Sequence, residues 1–143
     1  MNSYRSLDAW QYAHAAVILV HKSTEELKQP KSWALVDQLR RAVLSIETNI
    51  VEGYALATQA QFCRHLWIAF GSAAESETLV RAIAELGYLE TSVTDQLQTM
   101  LAGALRTLRG LVRNPPRNPT SDAPRPTHGS PTHHGPRTTH LNG

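Results

Sequence analysis

The sequence predicts an all-α protein, an up-down-up-down antiparallel four-helix bundle followed by a disordered, Pro/His-rich C-terminal tail. Four segments of about 20 residues or more repeat apolar residues at the three-and-four spacing of a helix, and short connections separate them. No segment alternates polar and apolar residues as a half-buried strand does. Seven of the eight prolines follow Arg113, where the chain has almost nothing apolar to bury. We therefore expect a four-helix bundle domain over residues 1–113 and a disordered tail over residues 114–143.

The first predicted helix begins near Ser6, a residue type that caps helix N-termini, and Asp8 lies in its first turn, where a carboxylate suits the helix dipole. The helix ends before Pro30, because proline disfavours helical backbone in the residue that precedes it. His14 and His21 lie two turns apart, too far to ligate one metal ion without a third group between them. We interpret both as solvent-facing or interface histidines and predict no metal site.

The second predicted helix, residues 34–54, organises the bundle, because it carries apolar residues on more than one face. A helix that is apolar nearly all round lies in the middle of an assembly. Gly53, near its end, costs about 1 kcal/mol relative to alanine in a helix interior, and the close approach of a neighbouring backbone would explain it. One side of the same helix is nevertheless polar, and this polar row consists of Gln38, Arg41, Ser45, Asn49 and Glu52.

The third predicted helix begins with a capping box, in which the Thr58 hydroxyl accepts from the backbone of Gln61 and the Gln61 side chain reaches back. It ends at Gly87, a typical glycine just past a helix C-terminus. Its small-residue run, residues 71–74, permits another helix to come very close. The fourth helix begins at Ser92 and extends to about Val112.

A short turn joins the second and third helices, so antiparallel packing pairs residues whose numbers sum to roughly 113. This pairing places a second polar set, Arg64, Ser72 and Glu75, opposite the polar row. It predicts two ion pairs, Arg41 with Glu75 and Glu52 with Arg64, because a partly buried charge needs a partner. The favoured interpretation is that this network fixes helix register or forms a subunit contact. A binding site and a catalytic site are the alternatives.

The predicted bundle carries no net formal charge. Residues 1–113 contain 11 Lys and Arg against 11 Asp and Glu, and the tail, with 3 Arg against one Asp, supplies the net charge of +2. Arg106, Arg109 and Arg113 share one face near the end of the fourth helix. They are expected to complement the helix dipole and to keep the surface soluble. The sharper interpretation is a phosphate-contacting strip, reinforced by Arg40, for RNA or DNA.

Signatures of catalysis are missing from the sequence. It contains no Glu-x-x-His pair of a di-metal bundle, no nucleophile elbow and no phosphate-binding loop. We therefore predict no enzyme activity, no catalytic residue, no cofactor and no small-molecule substrate. Trp10, Trp33 and Trp67 lie on or beside apolar helix faces, which favours core or interface anchors over base-stacking platforms.

The single cysteine, Cys63, excludes an internal disulfide and favours a reduced setting. The N-terminus lacks the basic start and apolar run of a secretory signal, and no stretch approaches the roughly 18 apolar residues of a spanning helix. We expect a cytoplasmic protein without membrane contact.

The first helix contains the motif LDAWQYA, the second contains DQLRRAVLSIETNIVEGY, and the third contains FCRHLWIAFGSAAE and closes with ELGYLE. Together these motifs resemble those of the small bacterial four-helix-bundle proteins linked to intervening sequences in 23S ribosomal RNA genes. The resemblance covers about Ser6 to Leu111. It implies a bundle that assembles as a ring, typically a pentamer, without established enzyme activity. We expect a homo-oligomeric interaction or scaffold protein with RNA or a ribonucleoprotein as partner; the alternative is a direct RNA- or DNA-binding module that uses the basic residues of the fourth helix.

Overall fold

The computed structural model describes residues 3–27, 30–56 and 58–117, and these form four α-helices that pack against one another. The helices are α1 (Asp8–Thr24), α2 (Trp33–Ala55), α3 (Gln59–Leu86) and α4 (Thr91–Arg113), with short 3-10 helices at Tyr4–Ser6 and Pro30–Ser32. These ranges contain no strand. The all-α prediction is confirmed, whereas the predicted disorder of the tail lies outside the described residues beyond position 117.

Side-chain contacts show that α2 and α3 are antiparallel. Gln38, in the first half of α2, contacts Glu75 in the second half of α3. Asn49, two-thirds of the way along α2, contacts His65 near the start of α3. The residue numbers of these two pairs add to 113 and 114, which confirms the predicted pairing.

Helix α1 completes the bundle by packing between α2 and α4. It is antiparallel to α2, since His14 pairs with Glu47 near the end of α2, and Thr24 accepts from Arg40 near its start. The start of α1 and the end of α4 line one shared groove, so these two helices are antiparallel as well. Each helix therefore neighbours the next along the chain, and α1 neighbours α4, as up-down-up-down topology requires.

The core lies between the four helices and is aliphatic except for one phenylalanine. Full burial of one such side chain stabilises the fold by about 1.5–3 kcal/mol relative to its exposure. Helix α2 is not enclosed on every side, because Leu44 remains 45% exposed on its outer face. Within the described ranges, no helix combines the length and apolarity needed to cross a bilayer. The largest fully buried side chains are Phe62, Leu39, Ile46, Ile50, Leu66, Ile83, Leu97, Leu101, Leu108, Val20, Val43 and Val80.

Helix ends agree with the sequence patterns in part. The prediction that Ser6 caps α1 is wrong, because Ser6 closes the preceding 3-10 helix, and Leu7 precedes α1 without a side-chain cap. Thr58 does accept from the backbone N–H of Gln61 at 3.2 Å, but the Gln61 side chain contacts the Thr58 hydroxyl rather than its backbone. Gly87 ends α3 in the left-handed conformation, with φ of 69°, as predicted.

Two glycines mark close helix contacts. A Cβ atom on Gly53 would lie 3.1 Å from both the His65 Cβ atom and the Phe62 ring, which confirms close approach of α3 at this position. A Cβ atom on Gly103 would lie 2.6 Å from the Tyr12 ring. This second contact, between α4 and α1, was not signalled by the apolar pattern, because a glycine interrupts that pattern whether or not something packs on it.

Candidate functional site

The polar row of α2 meets polar residues of α3 along one seam between the two helices. At its upper end, Gln38 Nε2 donates to Glu75 Oε1 at 2.6 Å. In its middle, the Ser45 and Ser72 hydroxyls are 2.8 Å apart, and only 9% of Ser72 is exposed. We call this contact set, with Asn49, Glu52 and His65 at its lower end, the polar seam.

Asn49 joins both helices at the lower end of the polar seam. Its Nδ2 donates to the Ser45 carbonyl at 2.8 Å, so its Oδ1 is left to accept from His65 Nδ1, also at 2.8 Å. His65 therefore carries a hydrogen on Nδ1, a tautomer that this hydrogen-bond pattern assigns. Glu52 Oε2 lies 3.6 Å from the same nitrogen. Sequence spacing cannot identify these partners of His65, because both lie on another helix.

The two predicted ion pairs of the seam are wrong. Arg41 donates to Gln38 Oε1 at 2.9 Å, and Gln38 in turn holds Glu75, so the amide stands between the two charges. Glu52 approaches His65 instead of Arg64, which is exposed. The physical reason is solvation: all four charged side chains are exposed, so water already stabilises each charge and pairing them would add little free energy.

The contacts of the seam link α2 to α3. Ser45 and Ser72 bond each other, and the Asn49 amide bonds Ser45 and His65, so the inner polar groups have partners within the fold. Among residues 3–27, 30–56 and 58–117, no group of three His, Cys, Asp or Glu side chains converges as metal ligands would.

The arginines of α4 lie on the surface and contact both neighbouring helices. Arg106 is 3.5 Å from the Tyr12 hydroxyl of α1, and the Arg109 guanidinium lies 5.9 Å from the centre of the Phe70 ring of α3. Phe70 packs edge-on against Trp67, with ring centres 6.0 Å apart and planes at 89°. Arg113 is exposed at the end of the same helix.

Arg40 does not belong to this arginine strip. Its Nε donates to the Thr24 hydroxyl at 2.8 Å, and its second guanidinium nitrogen donates to the Thr24 carbonyl at 2.9 Å. Asp37 lies 3.7 Å away. Arg40 thus binds the C-terminus of α1, whereas the arginines of α4 lie toward the opposite end of α1, and the predicted reinforcement does not occur within one chain.

The three tryptophans differ in burial. Trp10 is half-buried and stacks on His14, with ring centres 4.7 Å apart, and its Nε1 is buried without a hydrogen-bond partner among the described residues. Trp33 and Trp67 are 53% and 57% exposed. The expectation that they anchor the core of one chain is therefore wrong, and the interface role stays a prediction.

These observations define an all-α helical bundle. A polar seam links α2 to α3, and exposed apolar and arginine residues lie on the outer surface. The family model for the 23S rRNA-intervening sequence protein matches residues 5–110. The chain belongs to this family, which confirms the resemblance noted in its helices. Comparison with curated proteins gives no match.

Proposed function

We propose that this protein is a non-enzymatic homo-oligomer, a ring of five copies, that serves as an interaction or scaffold protein for RNA or an RNA-containing complex. The name of its family points to a connection with 23S ribosomal RNA, which is why RNA is the partner we propose. The observation that carries the oligomeric part is an apolar surface on α2 and α3 that a single chain leaves in water.

This surface, the outer patch, consists of Leu44, Ile68 and Gly71. Leu44 is 45% exposed and Ile68 is 40% exposed. The bond between the Ser45 and Ser72 hydroxyls holds the sequence neighbours Leu44 and Gly71 at one level of the bundle. A Cβ atom on Gly71 would meet no heavy atom within 4 Å. The outer patch is therefore apolar and smooth, which suits the close approach of another helix.

The rim of the outer patch carries charges of both signs. Arg41 and Glu75 are both exposed there, so the patch presents one cation and one carboxylate beside apolar side chains. A ring requires heterologous contacts, so the outer patch of one copy would meet a different surface of the next copy, and its two rim charges would pair with opposite charges on that surface.

The oligomeric state of the full chain tests the proposal. Light scattering after gel filtration at micromolar concentration should give a mass several times the 15.8 kDa of one chain. A variant with Leu44→Glu and Ile68→Glu should shift toward one chain, because each interface would then bury two carboxylates without partners. Circular dichroism should show unchanged helix content in this variant.

Ile18→Glu is the matched control, because Ile18 is 41% exposed on α1 and lies outside the outer patch. Its mass should equal that of the wild type. A wild-type mass of one chain would contradict the homo-oligomer, and dissociation by Ile18→Glu as complete as that of the patch variant would contradict the assignment of the interface.

Direct RNA or DNA binding through α4 is the second candidate function, and the local charge favours it. Residues 59–74 of α3 and 102–117 in and just after α4 contain five arginines and no Asp or Glu. We call this surface, formed by Arg64, Arg106, Arg109, Arg113 and Arg117, the arginine face. The bundle is neutral as a whole, whereas these two segments contain no carboxylate, so the surface they form is richer in cations than the rest of the bundle.

A further inference from the structure

One arginine of the arginine face, Arg109, lies beside an aromatic pair, Trp67 and Phe70. Trp67 is 57% exposed, the most exposed of the large apolar side chains that the structure describes. On one side it contacts the Phe70 ring edge-on, and the Arg109 guanidinium lies 5.9 Å from the centre of that ring. Phe70 is half-buried and packs against the core, so Trp67 has rigid support on the α4 side. Exposed aromatic surface and guanidinium groups therefore occur together.

We propose that the arginine face binds single-stranded nucleic acid, with Trp67 stacking on an unpaired base and the arginines contacting phosphates. This inference rests on the proposed non-enzymatic binding role and names its partner. Bases in a duplex are stacked on one another, so only an unpaired base offers its flat face to a side chain. Aromatic side chains beside a positively charged surface are the combination that binds single strands without sequence preference.

The charge of the arginine face argues against burial of Trp67 between two copies of the chain. Arg106 contacts a tyrosine hydroxyl and Arg109 contacts a phenylalanine ring, and neither contact neutralises the guanidinium. Covering these groups with protein would require carboxylates from the partner. Asp8 lines the groove between α1 and α4, on the side of α4 where Arg106 contacts Tyr12, but among the described residues no ion pair joins Asp8 to Arg106. A polyanion supplies the missing negative charge directly.

Fluorescence anisotropy of the full chain with a labelled 20-nucleotide oligouridylate, and with an RNA duplex of equal length, tests the proposal. The single strand should bind more tightly than the duplex. Trp67→Ala should weaken single-strand binding about tenfold, the size expected from the loss of one stacked base. Trp67→Phe, which keeps an aromatic ring, should restore most of the affinity.

Trp33→Ala is the matched control, because Trp33 is also exposed, at 53%, but lies at the start of α2 away from the arginine face. It should leave the affinity unchanged. A variant with Arg106→Gln, Arg109→Gln and Arg113→Gln should reduce the slope of log affinity against log salt by about 2, since each phosphate contact on a single strand contributes about 0.7. Arg81→Gln, on the same helix as Trp67 and paired with Glu77, should not change the slope.

The proposal is overturned if the wild type does not bind the single strand, if it binds the duplex equally well, or if Trp67→Ala and Trp33→Ala have equal effects. It is also overturned if Trp67→Ala changes the mass measured by light scattering, because Trp67 would then be a subunit contact. A monomeric wild type that binds the single strand through Trp67 would reject the ring and retain this inference. An oligomeric wild type that binds no nucleic acid would support the ring and reject this inference.

Discussion

Replacing Asn49 by alanine tests whether the polar seam stabilises the fold. The change removes the acceptor of the His65 hydrogen bond, at 2.8 Å, which links α2 to α3. It also removes the bond from Asn49 Nδ2 to the Ser45 carbonyl. Asn49 and His65 are both half-buried, so water replaces these hydrogen bonds only in part.

The expected loss of unfolding free energy is about 1.4 kcal/mol. The interhelical hydrogen bond contributes about 1 kcal/mol, and the His65 donor left without Asn49 costs about 1 kcal/mol more unless Glu52 rotates toward it. Alanine is favoured over asparagine in a helix interior by about 0.6 kcal/mol, which offsets part of the loss. For a bundle of this size the melting temperature should fall by about 4 °C.

Urea unfolding followed by circular dichroism measures this loss, and Gln38→Ala is the matched control. Gln38 belongs to the same seam and bonds Glu75 at 2.6 Å, but that contact is exposed, so its removal should cost less than about 0.5 kcal/mol. Equal losses in the two variants, or no loss for Asn49→Ala, would refute the claim that the inner part of the seam stabilises the bundle.

Two further predictions concern α4 and Tyr54. Gly110→Ala should raise the unfolding free energy by about 0.5–1 kcal/mol, because a Cβ atom there meets nothing within 4 Å. Gly103→Ala should bring no such increase, because its Cβ atom would lie 2.6 Å from the Tyr12 ring and clash with it. Urea unfolding that finds Gly103→Ala more stable than Gly110→Ala would contradict this contact. Burial raises the pKa of Tyr54 above its usual 10.0, so the folded state retains its proton and the associated stability, present below pH 10, is lost as the pH rises through the folded value. Unfolding free energies measured above pH 10 should therefore decline more steeply in the wild type than in Tyr54→Phe, and parallel declines would contradict the effect.

The sequence predicted where most residues of the polar seam lie, but it did not predict which of them bond one another. The spacing of Gln38, Ser45 and Asn49 placed them on one side of α2, and the antiparallel pairing placed Glu75 and Ser72 opposite. The identity of each partner depends on helix rotation by tens of degrees, which periodicity does not fix. Rotation decides, for example, that His65 rather than Arg64 meets Asn49 and Glu52.

The arginine face shows the same division. The clustering of Arg106, Arg109 and Arg113 follows from helical spacing alone. The position of Arg109 beside Phe70, which contacts Trp67, requires α3 and α4 to pack side by side at one particular height. Arg40 was grouped with them by charge, but its contact with Thr24 separates it from them by most of the length of the bundle.

The sequence by itself determined the number and order of the helices and some of their ends, such as both ends of α3, because apolar spacing and end signals act within a few residues of one another. It also determined family membership, through motifs in three helices. Only the tertiary structure decided which side chains are bonded, which tryptophans stay in water and which charges lie together. Those properties depend on distances between helices that are remote in the chain, and side-chain burial is set by whichever surface the neighbouring helix covers.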